Sequence, residues 1–124
     1  MTNPLSVLVV DDSRTMRLLI TEHLNKIGIS DVDTTEDGHA ALERLRQRRY
    51  ELMISDWEMQ PMGGEQLLKA VRQDPACARM PIILITATGT RGASWLAGAN
   101  AYLPKPFTDA DFQKAIASIF GRKP

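Results

Sequence analysis

The chain has 124 residues, the size of one ordinary domain, and is too short for two separate hydrophobic cores. Its 15 lysines and arginines balance 15 aspartates and glutamates, so the formal charge is zero and no basic excess indicates binding to nucleic acid or to a membrane surface. Its single cysteine, Cys77, excludes an internal disulfide, and with no basic leader or membrane-length apolar stretch we expect one cytoplasmic domain over residues 1–124.

The first predicted unit is a strand followed by a helix. Residues 5–10 form a short valine-rich run, which is typical of a buried strand. Ser13 is placed to cap the following helix, and Gly28 supplies the left-handed residue after its end. Between them, apolar residues recur at helical spacing: Met16, Leu19, Ile20, Leu24 and Ile27.

A weaker strand is predicted over residues 31–34 and a helix over residues 37–49. Ala41, Leu42 and Leu45 form the apolar face of this helix. The same segment carries the basic run "RLRQRR", which we interpret as a solvated helix face in preference to a binding patch.

A third strand over residues 52–55 ends at Asp56. A loop marked by proline and glycine, "EMQPMGG", leads to a helix whose apolar residues are Leu67, Leu68 and Val71. The run "PIILIT" then predicts a fully buried fourth strand.

The last part of the chain predicts a short helical piece, "GASWLAG", and a fifth strand, "AYLPKPF". Pro104 places that strand at an edge of the sheet, since a central strand would lose a hydrogen bond there. Thr108 and Asp111 form a capping-box pattern that begins the final helix. Its apolar face consists of Phe112, Ile116, Ile119 and Phe120.

Five strands alternating with five helices predict a doubly wound α/β domain with a parallel sheet, for which we expect the usual order of five-strand members of this class, 2-1-3-4-5. In such folds, function lies beyond the carboxyl ends of the strands. The residues that follow or end the predicted strands are Asp11, Asp12, Asp56, Thr86 and Lys105.

Three of these residues, Asp11, Asp12 and Asp56, are carboxylates that the strand order brings together. Close like charges need a neutralising partner, and a hard divalent cation such as Mg²⁺ supplies one through oxygen ligands. Magnesium also bridges to phosphate oxygens, so the cluster suits phosphoryl transfer. Lys105 is placed to meet the remaining phosphoryl charge, and the Thr86 hydroxyl to donate a hydrogen bond to it.

The motifs "VLVVDDS", "LMISDWEM", "PIILITA" and "AYLPKPF", in this order, resemble a receiver domain of the CheY-like response regulators. The resemblance implies that Asp56 accepts a phosphoryl group from a histidine of a kinase or phosphotransfer protein. It also implies that Lys105 pairs with Asp56 and then with the phosphoryl group. The implied Mg²⁺ ligands are Asp12 and Asp56 directly, Asp11 through water, and the backbone carbonyl of Glu58.

The resemblance further implies a switch in which the Thr86 hydroxyl moves toward the phosphoryl group and Tyr102 turns inward behind it. It implies a cis peptide bond between Lys105 and Pro106. Compared with the family, the segment after Thr86 is about one helical turn shorter, so we expect a shortened fourth helix. Glu58, and with it Thr88, is expected to tune the lifetime of the phosphorylated form.

Only four residues of the sequence follow Phe120, so we expect a stand-alone receiver whose output is a protein contact. A receiver excised from a longer regulator would have the same sequence signals. The recipient stays open between a flagellar motor, a kinase and a histidine phosphotransferase, that is, a chemotaxis-type or a phosphorelay regulator. We expect a monomer or a weak phosphorylation-dependent dimer. Because the chemistry modifies the protein itself, we do not class it as an enzyme.

Two other classes of protein match the sequence less well. A phosphatase of the haloacid dehalogenase type needs a second acid two residues after its nucleophile, and Ser13 stands there after Asp11. A flavodoxin-like binder needs a glycine- or hydroxyl-rich phosphate loop after the first strand, which "DDSR" does not offer. Turnover of small phosphoesters would reveal the first class, and flavin absorbance the second.

Overall fold

The computed structural model describes residues 3–87 and 98–120, which form one parallel sheet flanked by helices. The elements in chain order are β1 (Asn3–Val10), α1 (Arg14–Lys26), β2 (Ile29–Thr35), α2 (Gly38–Gln47), β3 (Leu52–Asp56), α3 (Gly64–Gln73), β4 (Ile82–Ala87), β5 (Ala101–Lys105) and α4 (Asp109–Phe120). The strand order is β2-β1-β3-β4-β5, which confirms the predicted doubly wound sheet.

The described residues contain four helices, where the sequence predicted five. The fifth is the short helical piece predicted at residues 92–98, of which residues 92–97 lie outside the described part of the chain. Several boundaries differ by one or two residues: β1 and β2, for example, each begin two residues earlier than predicted, and α2 ends at Gln47, before the basic run is complete.

Both faces of the sheet are covered, because the strand side chains alternate between two apolar layers. On one face, Val7, Val9 and Ile54 pack with α1 and α4 through side chains such as Leu24 and Phe112. On the other face, the apolar strand residues pack with α2 and α3; they include Leu8, Val10, Met53 and Leu84, with Ala41, Leu67 and Val71 from the helices. The strand order of this sheet determines which strand ends meet.

Local side-chain bonds explain where the helices begin. The Ser13 hydroxyl accepts a hydrogen bond from the Met16 N–H at 3.2 Å, as the capping pattern predicted. The Thr108 N–H donates to the Asp111 carboxylate, and the Asp111 N–H donates to the Thr108 hydroxyl, each at 3.0 Å. These two hydrogen bonds form the predicted capping box. Gly28 has a φ of 93°, so it ends α1 in the left-handed conformation expected of it.

Some apolar side chains face solvent, contrary to their assignment to a core stripe. Leu19 is 40% exposed and Phe120 is 44% exposed. Leu42 and Leu45 are only half-buried, while Ala41 is fully buried. The apolar stripe of a helix is wide, and residues at its margins lie at the rim of the interface, not within it.

Candidate functional site

The site is built at the carboxyl ends of β1 and β3. Val10 pairs with Ser55, so Asp11 and Asp56, one residue further on, lie side by side. The Asp11 N–H donates to the Thr35 carbonyl at 3.1 Å, which ties this turn to β2. Carboxylate oxygens of Asp11, Asp12 and Asp56 lie within 4.8 Å of one another. The strand ends thus concentrate negative charge at one edge of the sheet.

Asp11 is a buried carboxylate, and only one of its two oxygens accepts a hydrogen bond from the described residues. Its side chain is 1% exposed; Oδ1 accepts a hydrogen bond from the Ser13 N–H at 2.8 Å, whereas Oδ2 accepts none from the described residues. The pKa of Asp11 is raised to about 6, chiefly by burial and also by the neighbouring charge of Asp56, against the opposing effect of the Ser13 hydrogen bond. A buried oxygen with no donor is costly unless another group occupies its lone pairs.

Asp56 is buried and pairs with a lysine from a more distant strand. It is 4% exposed, and its Oδ1 lies 3.1 Å from Lys105 Nζ. Burial raises the pKa of Asp56, while the Lys105 cation and a hydrogen bond from the Glu58 backbone N–H oppose that rise. Lys105 therefore offsets part of the effect of burial on this carboxylate.

The backbone around Asp56 is held on both sides. The Trp57 N–H donates to the Ile85 carbonyl, and the Gly64 N–H donates to the Trp57 carbonyl, each at 2.9 Å. A Cβ on Gly64 would stand 2.6 Å from the Asp56 carbonyl oxygen, so only glycine permits this approach of α3 to β3. In the loop between them, the peptide bond from Gln60 to Pro61 is cis.

The remaining predicted site residues differ in their surroundings. Thr86 is 2% exposed and pairs with Pro104 across β4 and β5, whereas Tyr102 is 52% exposed. The Glu58 side chain, two residues after Asp56, is exposed. The peptide bond from Lys105 to Pro106 is cis. Thr88 lies outside the described residues.

Two contributors were not anticipated from the sequence. Arg17 donates from Nη1 to the Asp11 backbone carbonyl at 2.7 Å and so holds the turn that carries the acidic pair. Gly64 allows the close approach of α3 described above. Helical spacing places Arg17 one turn after Ser13, but it does not reveal that the guanidinium folds back onto the strand end.

The donor set fits a hard divalent cation. It consists of carboxylate oxygens, with no histidine or cysteine among the clustered side chains. The orphaned Asp11 Oδ2 supplies a buried lone pair, and the proximity of Asp12 and Asp56 supplies the negative charge that such an ion neutralises. Magnesium, which prefers oxygen ligands and one or two carboxylates, matches this set.

No helix in residues 3–87 and 98–120 is long and apolar enough to cross a membrane.

A groove of about 480 Å³ runs beside β5 and α4, with Tyr102 and Lys114 in its lining. A second cavity lies at the opposite end of the sheet.

Comparison with known proteins gives a consistent result. The family model described as the response regulator receiver domain matches residues 7–117. Chemotaxis protein CheY-3 of Vibrio cholerae serotype O1 is 34% identical over 121 residues, covering 95% of this chain and 93% of that protein. Chemotaxis protein CheY of Pseudomonas aeruginosa is 35% identical over 121 residues, covering 95% and 98%.

Among solved structures, the response regulator TrrA of Thermotoga maritima, in complex with Mg²⁺ and BeF, has a TM-score of 0.82. It is 29% identical to this chain, and the match covers 90% of this chain and 96% of that one.

Proposed function

This chain belongs to the response regulator receiver family, the receivers of two-component signalling, and from that premise we propose that it accepts a phosphoryl group on Asp56 with Mg²⁺ at the acidic cluster. The observation that carries the proposal is the pairing of buried Asp56 with Lys105 beside two further carboxylates. A structural ion pair would not need that accumulation of like charge.

Asp56 is the nucleophile of the proposed reaction. One of its carboxylate oxygens forms a bond to phosphorus while the bond from phosphorus to the donor's imidazole nitrogen breaks. The electron pair of the broken bond stays with the imidazole, which is the leaving group. Lys105, which pairs with Asp56 at 3.1 Å, then has a phosphoryl oxygen as its partner in the acyl phosphate.

Asp12 and Asp56 would hold Mg²⁺ directly, with Asp11 through water and the Glu58 backbone carbonyl as the remaining protein ligands. When bound, the ion offsets the negative charge of the carboxylates and of the transferring phosphoryl group. Ser13 and Arg17 hold the Asp11 turn in place through the carboxylate and the backbone carbonyl respectively.

The proposed switch lies between Thr86 and Tyr102. Thr86 is buried at the end of β4, within one strand of Asp56, and its hydroxyl can donate to a phosphoryl oxygen. Tyr102 is half exposed in the groove beside β5 and α4, so an inward rotation would change the surface that a partner meets.

The proposed partners are a histidine kinase or histidine phosphotransfer protein as donor and a protein recipient for the output. The two CheY relatives favour a chemotaxis-type role over a general phosphorelay. We propose a monomer or a weak phosphorylation-dependent dimer. We also propose a cytoplasmic location, which the single unpaired cysteine supports. Loss of the phosphoryl group to water, tuned by Glu58 and Thr88, returns the protein to its first state without a released organic product.

Intact mass spectrometry of the full chain tests the proposal. The wild type is incubated with acetyl phosphate and Mg²⁺, beside Asp56→Asn and a sample with EDTA. One added phosphoryl group on the wild type alone, and only with Mg²⁺, is the expected result. No adduct, together with no change in tryptophan fluorescence on titration with beryllofluoride and Mg²⁺, would show that the cluster is not a working phosphorylation site.

A further inference from the structure

A cavity of about 620 Å³ lies at the end of the sheet opposite to Asp56. It is formed by the segment that joins α2 to β3 and by the segment that joins α3 to β4, with Tyr50 and Met80 just before the two strands. The five residues of β3 separate it from Asp56 by roughly 15 Å at the usual rise per strand residue. It is therefore distinct from the phosphorylation site.

Every charged residue in the described lining of this cavity is an arginine: Arg46, Arg48, Arg49 and Arg79. Arg79 follows α3, whereas the other three belong to the basic run that begins in α2 and continues beyond it. Folding therefore brings Arg79 close to this run. No aspartate or glutamate belongs to the described lining. The cavity is thus positively charged in a chain whose formal net charge is zero.

Arg48 lines the cavity, and its contacts hold its side chain in place. Its Nη1 donates to Asp33 Oδ2 at 2.9 Å, its Nη2 contacts Asp31, and its guanidinium lies 4.9 Å from the centre of the Tyr50 ring. The Tyr50 hydroxyl donates in turn to Asp33, and burial together with that bond raises the Tyr50 pKa to about 12. The charge of Arg48 is already matched, and its position is defined.

Arg49 and Arg79 are different, because both are exposed and neither makes a hydrogen bond or ion pair through its side chain to a residue in the described ranges. Arg46 makes only an exposed pair with Glu43 at 3.0 Å, a type of contact that contributes little. Three guanidinium groups therefore remain available to an anionic partner. Guanidinium groups bind carboxylates through paired hydrogen bonds, which adds geometric specificity to the charge.

The floor of the cavity is apolar. Tyr50 is 4% exposed and Met80 is 6% exposed, and the half-buried Leu45 and Cys77 complete the surface. An apolar floor ringed by cations fits one hydrophobic side chain flanked by carboxylates. A nucleic acid would instead need cations spread along a track of phosphates, and here they surround a single concavity.

We propose that this cavity is a docking site for an acidic peptide segment of a partner protein, with an apolar residue seated on Tyr50 and Met80. Because the site lies away from Asp56, a partner bound there leaves the acidic cluster open to a phosphodonor. The inference goes beyond the proposed phosphorylation function and does not rest on it.

Selection of random heptapeptides displayed on phage, with the immobilised full-length chain as bait, tests the proposal. The selected peptides should share aspartate or glutamate on both sides of an apolar residue. The best of them, made synthetically with a fluorescein label, is then titrated with the wild type, with Arg49→Gln/Arg79→Gln, and with Lys69→Gln/Lys114→Gln. The second double variant removes the same charge from exposed lysines elsewhere.

Loss of the arginine pair should weaken binding about tenfold or more, and loss of the lysine pair by less than about twofold. The bound peptide should also slow alkylation of Cys77, the chain's one cysteine. Phosphorylation by acetyl phosphate should be unchanged in the arginine variant, which separates this site from the acidic cluster.

Three results would overturn the inference. Selected peptides without an acidic pattern would show that the cavity does not recognise carboxylates. An equal loss of peptide affinity in the two double variants would show that binding depends only on the overall charge of the protein. Tighter binding of a single-stranded thymidine oligonucleotide than of the best peptide, with the same dependence on Arg49 and Arg79, would assign the surface to nucleic acid.

Discussion

Lys105 Nζ lies 3.1 Å from Asp56 Oδ1, although β4 separates the strands that carry the two residues. The lysine spans the end of that strand because β4 and β5 are in register up to the pair Ala87 and Lys105. The ion pair therefore depends on the alignment of β3, β4 and β5.

Replacing Lys105 by alanine should slow phosphorylation of Asp56 by acetyl phosphate roughly a hundredfold, the typical cost of removing one group that stabilises developing charge. The Lys105 charge also holds down the pKa of Asp56, so the variant should contain less of the reactive anion at neutral pH. Rates are followed by intact mass spectrometry. Lys114→Ala, which removes an exposed lysine of α4, is the matched control, and equal rates in all three proteins would contradict the assigned role.

The raised pKa of Asp11 predicts how the metal-free protein responds to pH. With a pKa of about 6 in the folded chain against 3.8 for the ordinary group, the folded state binds the proton more tightly. The free energy of unfolding in EDTA should therefore fall as pH rises from about 4 to about 6, by up to roughly 3 kcal/mol from this residue. Denaturation with urea across that range measures it.

Asp11→Asn is the control, because it removes the Asp11 contribution to this fall and leaves that of Asp56, whose pKa burial also raises. The same variant should be more stable than the wild type at pH 7 without metal. Mg²⁺ competes with the proton, so the affinity of the wild type for Mg²⁺ should fall as pH drops below about 6. A wild-type profile that rises with pH in EDTA, or that matches Asp11→Asn, would show that Asp11 is not the responsible group.

Arg72 predicts a second stability effect, far from the acidic cluster. Its guanidinium donates to the carbonyls of Gly98, Ala78 and Met80 and to Asn100 Oδ1, at 2.8–2.9 Å. Asn100 Oδ1 also accepts from the Ile82 N–H, so one hydrogen-bonded network joins α3 to the first residues of β4 and β5.

Arg72→Ala should destabilise the fold by about 2–4 kcal/mol, because it leaves several partly buried acceptors without a donor. Arg79→Ala, an exposed arginine without such bonds, should change stability by less than about 0.5 kcal/mol. Urea denaturation distinguishes the two, and Arg72→Lys should recover only part of the loss. Similar values for Arg72→Ala and Arg79→Ala would mean that the network contributes little.

The exposure of Tyr102 provides a direct readout of the proposed switch. The chain has two tyrosines, and Tyr50 is 4% exposed whereas Tyr102 is 52% exposed. In protein labelled with 3-fluorotyrosine, beryllofluoride and Mg²⁺ should shift the ¹⁹F signal of Tyr102 and reduce its sensitivity to a soluble paramagnet, while the Tyr50 signal stays in place. In Thr86→Ala the ligand should still bind but the Tyr102 shift should be lost. A full shift in that variant would uncouple Tyr102 from Thr86.

Local patterns accounted for most of the fold. The valine-rich runs, the caps at Ser13 and Thr108, and Gly28 each act over a few residues, so the sequence displays them directly. The acidic cluster was also predictable, because strand order brings carboxyl ends together. Contacts between distant segments could not be predicted from the sequence. They include the unpaired Asp11 oxygen, the hydrogen-bond network around Arg72, and the proximity of Arg79 to the basic run. Each depends on side-chain orientations that periodicity does not specify.

The two edge strands determine how the sheet meets other molecules. On β2, Asp31 and Asp33 place charge along one edge, and Arg48 holds both carboxylates there. On β5, Pro104 offers no N–H to an added strand. Both devices discourage the edge-to-edge pairing that leads to aggregation. The chain should therefore remain monodisperse when it is concentrated, and association with partners should proceed through side chains and not by strand addition.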